Sequence, residues 1–469
     1  MKLLHTILHQ PAALLAAMLL GAWCGLAWPA ASPVFAALAA LYLSLVQAAT
    51  LPFLALAVYF GLQRSVAGGA PWGRLVLLLA AGLAGMVLCA LAGAMLTSAA
   101  AGGAGMDPEQ AAALGRLTLR AEIGAPVSLQ GEGPAQASMP AAPDLVPSNL
   151  YAALAAGAVP SVLVGVLLFS AAVATQGMAR TAQLGSILEA AYRGLEGVIG
   201  LVNTGLPLIA FVLAAAAVGA AGSEISLVGG FLGSWSIAAL LASGLALAAL
   251  CWRLKSGPGP VLAALRAPLT VCLFSPVGTA ALPEFIEALS VRLGFARGTV
   301  ELLASAFPVF VRSGEALFYA VLAVYAANIY GHALALQEIL LLALLSCWFT
   351  VATSGLPGAK AALWSAALQS RLGVPLDALL PALAAVEVLC EGTRSLVSYL
   401  AAAALVALSA EPGRLPAEAA ASGAAAAPVL LVLGRRQAVL SLLLLGGTLL
   451  LVFCAGLGAG LRKNLLTTF

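Results

Sequence analysis

The chain has 469 residues, of which 62% are hydrophobic and only 8% are charged. A water-soluble globular chain carries about 25% charged residues, so this composition excludes an ordinary soluble domain and reads as a polytopic integral membrane protein. The formal net charge of +3 is too small to argue for nucleic acid as a partner.

In chain order, "MKLLHTILHQPAALLAAMLLGAWCGLAWPAA" has the outward form of a signal peptide. Its apolar run from Pro11 to Pro29 exceeds a typical h-region. It predicts a first span over 11–31 after a short amphipathic start. His5 and His9 fall in that start and suit an interface; with His332 they offer no metal-ligand spacing. Further spans are predicted at 36–62, 74–98, 149–176, 195–220 and 226–252. Basic residues follow the second, fourth and sixth of these: Arg64 and Arg74, Arg180 and Arg193, then Arg253, Lys255 and Arg266. The segment 99–148 carries Asp107, Glu109, Glu122, Glu132 and Asp144 against Arg116 and Arg120. Positive-inside bias therefore predicts a cytoplasmic N-terminus, an outside loop 99–148, and a multi-pass protein of the cell (inner or plasma) membrane. Seven cysteines are scattered without a C-x-x-C pair, and read as small buried hydrophobes.

After residue 252 the apolar stretches shorten and contain Pro and Gly: "LFSPVGTAALP" (273–283) and "FTVATSGLPGAKAAL" (349–363). In lipid, irregular backbone is tolerated only where it is buried in protein or lines a cavity. Two such interrupted segments point to a transporter binding site; Pro-kinked helices are the bland alternative. Longer helices are predicted over 298–331 and 375–408. A linker follows at 409–436, and 437–469 is an extra apolar C-terminal helix with its tail.

The 375–408 helix contains "EVLCEGTRSLVSYL" (387–400). Glu387, Glu391, Arg394 and Ser398 recur at helical spacing and share one face. Each intramembrane charge costs roughly 2.5–3.5 kcal/mol on insertion scales, so such residues are functional candidates by default. A purely structural Glu391–Arg394 ion pair is the alternative.

At these residues the sequence resembles the dicarboxylate/amino acid:cation symporters, the glutamate-transporter homologues. "VPSNLYAALAAGAVPSVLVGVLLFSAAVA" (146–174) looks like their fourth-helix signature and "NTGLPLIAFVLAA" (203–215) like a stretch of the fifth. "TAALPEF" (279–285) stands where the first re-entrant hairpin has its tip. "SGEALFYAVLAVYAANIYG" (313–331) matches the helix that normally opens with Asn-Met-Asp-Gly-Thr, and "TSGLPGAKAAL" (353–363) the second hairpin. "EVLCEGTRSLVSYL" matches the last core helix, normally Asp-x-x-x-Asp-x-x-Arg-Thr-x-x-Asn. The resemblance covers 146–402 in order and is weaker over the first three spans.

It implies an all-α polytopic membrane protein with about eight transmembrane helices and two re-entrant hairpins near 268–295 and 340–370; the apolar run 437–460 lies beyond the family's core and would add one C-terminal helix. Residues 1–252 would be mostly scaffold and trimerisation helices, with the third span in the transport domain, and 253–408 the transport-domain core. It further implies a homotrimer working as an elevator-type symporter for an acidic amino acid or dicarboxylate-like solute. The implied substrate-binding set is Arg394, Glu391, Glu315, Ser395, Ser398, Thr279, Ser275 and Gly355. Arg394 would clamp a carboxylate as a planar fork, and Glu391 would take an amine.

Departures from the pattern bear on coupling. Val311, Ser313 and Ala402 stand where the family has sodium-ligand side chains, so those side-chain ligands are lost, while backbone carbonyls leave one weak sodium site open as the alternative. Glu315, Glu387 and Glu391 remain as proton-coupling candidates, and crowded, desolvated carboxylates hold protons more tightly. Proton coupling or exchange is therefore favoured over sodium, with no cofactor and no protein-held metal. Arg312 and Lys360 add positive charge near the hairpins; their bland readings are an ion pair with Glu315 and a lysine snorkelling at the hairpin mouth. The many departures also admit a transport-inactive relative acting as a membrane sensor or scaffold. An enzyme is not expected: there is no H-E-x-x-H motif, and Ser354 has no histidine partner close in sequence.

Overall fold

The computed structural model describes residues 11–28, 31–67, 72–100, 102–103, 146–155, 157–176, 178–221, 229–275, 277–295, 300–301, 303–304, 310–332, 334–354, 360–372 and 380–409. The start before Pro11, most of the expected outer loop, Gly355, the 409–436 linker beyond Ser409 and the C-terminal apolar run lie outside the described residues. Among the described residues all regular structure is helical.

The helices are α1 (Pro11–Ala27), α2 (Ser32–Ala67), α3 (Trp72–Ala99), α4 (Leu150–Ala155), α5 (Val159–Ala174), α6 (Met178–Asn203), α7 (Leu206–Ala221) and α8 (Gly229–Leu254). Next come α9 (Pro258–Phe274), a 3-10 turn (Gly278–Ala281), α10 (Leu282–Glu287) and a π turn (Ala288–Arg292). Last are α11 (Ser313–Ile329), α12 (Leu336–Ala352), α13 (Lys360–Leu372) and α14 (Leu380–Ser409). Ser32–Gln63, Ala80–Ala99 and Gly229–Leu254 are each long and apolar enough to cross a membrane. They present Leu41, Leu88, Leu240 and Leu245 outward, as lipid-facing helices do.

Three predicted helices are interrupted. The span expected at 149–176 is divided into α4 and α5 by a turn at Gly157, whose φ of 68° suits glycine. The span expected at 195–220 is bent by 62° between Asn203 and Leu206. The "NTGLP" run explains it: Gly205 carries no side chain, and Pro207 belongs in the first turn of a new helix. The helix expected over 298–331 breaks at Arg312, whose φ of −80° and ψ of 69° are not helical, and α11 starts only at Ser313.

Close approaches at glycines set the packing. Gly21 and Gly25, a G-x-x-x-G pair on α1, lie against the backbones of Phe211 and Ala215 on α7. Gly314 of α11 lies against the Arg394 carbonyl of α14, and Gly392 of α14 against the Leu273 carbonyl of α9. The middle of α14 is therefore held between two backbones. α11 is the innermost helix: Ser313 through Ala327 are all buried, with α3, α8, α12 and α14 packed around it.

Candidate functional site

The site forms where three chain breaks meet the polar face of α14. After α9, Ser275 turns extended, and its Oγ accepts the Val277 N–H at 3.3 Å and donates to the Val277 carbonyl at 3.1 Å. The following 3-10 turn is pinned from two sides. Tyr399 OH donates to the Gly278 carbonyl at 2.8 Å, and Asn203 Nδ2 to the Ala280 carbonyl at 3.3 Å. The bend between α6 and α7 thus supports the tip that follows α9. The second break is Val311–Arg312, and the third opens at Thr353, where α12 ends.

The charged side chains link into a chain across these elements. Lys360, the first residue of α13, pairs through Nζ with Glu315 Oε1. Arg312 Nη1 lies 2.8 Å from Glu315 Oε2, and its Nη2 lies 3.2 Å from Glu391 Oε1. Arg394 Nη2 pairs with Glu391 Oε2 and also donates to the Glu387 carbonyl at 2.7 Å. Glu315 and Glu391 are each held between two cations. All five side chains are at least 85% removed from solvent, with exposures from 1% at Glu315 to 15% at Arg312. Removing one member of a buried pair strands the other, which typically costs 3–5 kcal/mol.

Glu387, one turn before Glu391, is buried, and among the described residues none makes an ion pair with its carboxylate. The three glutamates and the three cations Arg312, Lys360 and Arg394 balance in charge. Aromatic rings close the other side. Phe318 covers the Arg394 guanidinium at 4.6 Å, and Tyr319 sits 5.9 Å from it. Tyr319 in turn packs on Phe349 and Trp364. Among the described residues several polar atoms here are buried without a hydrogen-bond partner: Arg394 Nε and Nη1, Glu315 Oε2, Ser395 Oγ, Tyr319 OH and Trp364 Nε1.

Arg394, Glu391, Glu315 and Ser395 are therefore brought together, with Ser395 against Gly278 of the 3-10 turn. Thr279 is half-buried in that turn, and Ser275 precedes it with its hydroxyl tied to the Val277 backbone. Ser398 is engaged elsewhere, accepting the Gly314 N–H at 3.0 Å and donating to the Arg394 carbonyl at 2.9 Å. Gly355 falls outside the described residues. The Glu391–Arg394 and Arg312–Glu315 ion pairs both form. Lys360 does not snorkel: it is 6% exposed and bonded to Glu315. Sequence reasoning missed the aromatic members. Tyr319 lies four residues after Glu315 on α11, and that spacing was the available signal. Val311 and Ala402 are buried and apolar, Val311 beneath Gly82.

A model of the sodium:dicarboxylate symporter family matches residues 11–411. Among curated proteins none matches the chain.

Proposed function

The chain belongs to the sodium:dicarboxylate symporter family, and we propose that it moves a carboxylate-bearing organic anion, an acidic amino acid or a dicarboxylate, bound at Arg394. It is a multi-pass, all-α membrane transporter of the symporter type. The observation that carries the substrate reading is the Arg394 guanidinium. Among the described residues only Nη2 is used, while Nε and Nη1 are buried without a hydrogen-bond partner there. Buried donors without acceptors are costly, and a ligand carboxylate would relieve one of them with a charge-assisted hydrogen bond. Ser395 Oγ, also unpartnered, is one residue away.

The coupling ion in this reading is a proton. Glu315 and Glu391 are occupied by the chain's own cations, so we assign the proton to Glu387. Arg394 and Glu391 of α14, Lys360 of α13, and Glu315 and Tyr319 of α11 act on it electrostatically. The chain would work as a homotrimer in the cell membrane with its N-terminus in the cytoplasm. Residues 253–408 and α3 would slide as one body past the remaining helices.

Uptake of labelled aspartate and succinate into proteoliposomes, under separate sodium and proton gradients, tests this. Uptake that follows the proton gradient and is lost in Arg394→Ala supports it. Uptake that needs sodium and ignores pH defeats the coupling assignment. A second reading, a transport-inactive sensor, draws on the internal pairing of Glu391 with Arg394. Ligand-induced stabilisation without flux would favour it.

A further inference from the structure

Resting on the transporter reading above, we propose that Lys360 and Arg312 are tethered counter-cations that occupy the place of a coupling metal cation, so that the site assembles without sodium. Each of the four oxygens of Glu315 and Glu391 lies against a cation, Glu315 Oε2 through an ion-pair contact without a hydrogen bond among the described residues. Glu315 Oε1 faces Lys360 Nζ and Oε2 faces Arg312 Nη1, while Glu391 Oε1 faces Arg312 Nη2 and Oε2 faces Arg394 Nη2. A hard cation needs several oxygen ligands, anionic ones above all. Here it would have to displace an ammonium or a guanidinium already in contact.

The lysine is the informative member. Its ammonium is a compact point charge on a flexible stem, the side chain nearest in kind to an alkali ion. It reaches a carboxylate 45 residues away in sequence and is buried there. It leads α13 while Glu315 opens α11, so the pair fastens two separate elements. A solute cation performing the same task would have to be collected from water on every cycle. Lys360 travels with the protein.

Removing the ammonium should therefore create a cation requirement that the native chain lacks. The experiment follows the thermal unfolding midpoint of the detergent-solubilised full chain in sodium, potassium or choline chloride at one ionic strength. The native protein should give the same midpoint in all three. Lys360→Ala should fall by about 5 °C or more in choline, and sodium or added ethylammonium should restore at least half of that loss. Lys360→Arg should remain indifferent to the salt. Glu315→Gln/Lys360→Met removes both charges and should fold with no response to any cation. If Lys360→Ala cannot be isolated, this double variant decides. Its failure to fold, or a sodium response in it, overturns the proposal. So does a native protein stabilised by sodium, or a Lys360→Ala protein that no cation restores. The readout needs no flux, so a transport-inactive chain leaves this test intact. A failed test here leaves the role of Arg394 standing.

Discussion

Ser398 fastens α14 to α11 through the Gly314 backbone, accepting that N–H at 3.0 Å. The same hydroxyl donates to the Arg394 carbonyl at 2.9 Å, so its one donor and one of its two lone pairs serve the scaffold. We propose that its main task is to hold the arginine in place. Ser398→Ala should leave the Gly314 donor buried and unpaired, at about 1–3 kcal/mol. The expected outcome is a lower thermal midpoint with the KM for uptake changed less than threefold. A large rise in KM with unchanged stability would return Ser398 to the binding set.

Arg394 carries the carboxylate proposal. Arg394→Lys keeps the charge against Glu391 but loses the planar fork and the donors at Nε and Nη1. Losing about 3 kcal/mol of charge-assisted hydrogen bonding corresponds to roughly 100-fold weaker binding. Isothermal titration with succinate and aspartate measures it. The variant should still elute as folded protein, because the pair with Glu391 is conserved in charge.

Glu387 is the carboxylate assigned to the proton. With inward flux driven by protons, uptake should rise as the outside pH falls, since the gradient then points inward. Glu387→Gln should remove that pH response while retaining measurable exchange of solute against solute. Retention of the full pH response in this variant would move the proton to another group.

Gly392 approaches the Leu273 carbonyl so closely that a Cβ has no space. Gly392→Ala should separate α14 from α9 and reduce folded protein severalfold in fluorescence-detected size exclusion. Gly244 of α8 has open space where its Cβ would project. Gly244→Ala should be neutral or stabilising, because alanine favours a helix over glycine by about 1 kcal/mol. The contrast isolates the close approach from the helix propensity.

Much of the site's local logic is legible in the chain itself. The spacing of Glu387, Glu391, Arg394 and Ser398 places them on one helical face, and the structure keeps them there. Glu391 and Arg394 are three residues apart, and their ion pair forms within α14. The interruptions after Phe274 and after Ala352 coincide with the Pro- and Gly-bearing runs. These features are local: they depend on residue type and on a period of 3.6.

The breaks at Asn203 and Arg312 were less visible, although each has a nearby signal in Pro207 and Pro308. Proline marks a boundary without saying whether a helix bends, kinks or restarts. That choice falls to packing, as where Asn203 at its bend reaches the Ala280 carbonyl.

By itself the sequence determined that this is a helical membrane protein, which faces of its helices are polar, and where its apolar segments are interrupted. The hydrophobic effect and backbone hydrogen bonding act on every residue in the same way, so composition and period suffice for that. Only the tertiary structure decided the partners. Lys360 meets Glu315 across 45 residues, Arg312 meets Glu391 across 79, and Ser398 meets Gly314 across 84. A polar face states that a partner is needed, because a buried charge is costly alone. Which residue answers depends on how closely the backbones pack, and here glycines at 314 and 392 set that distance.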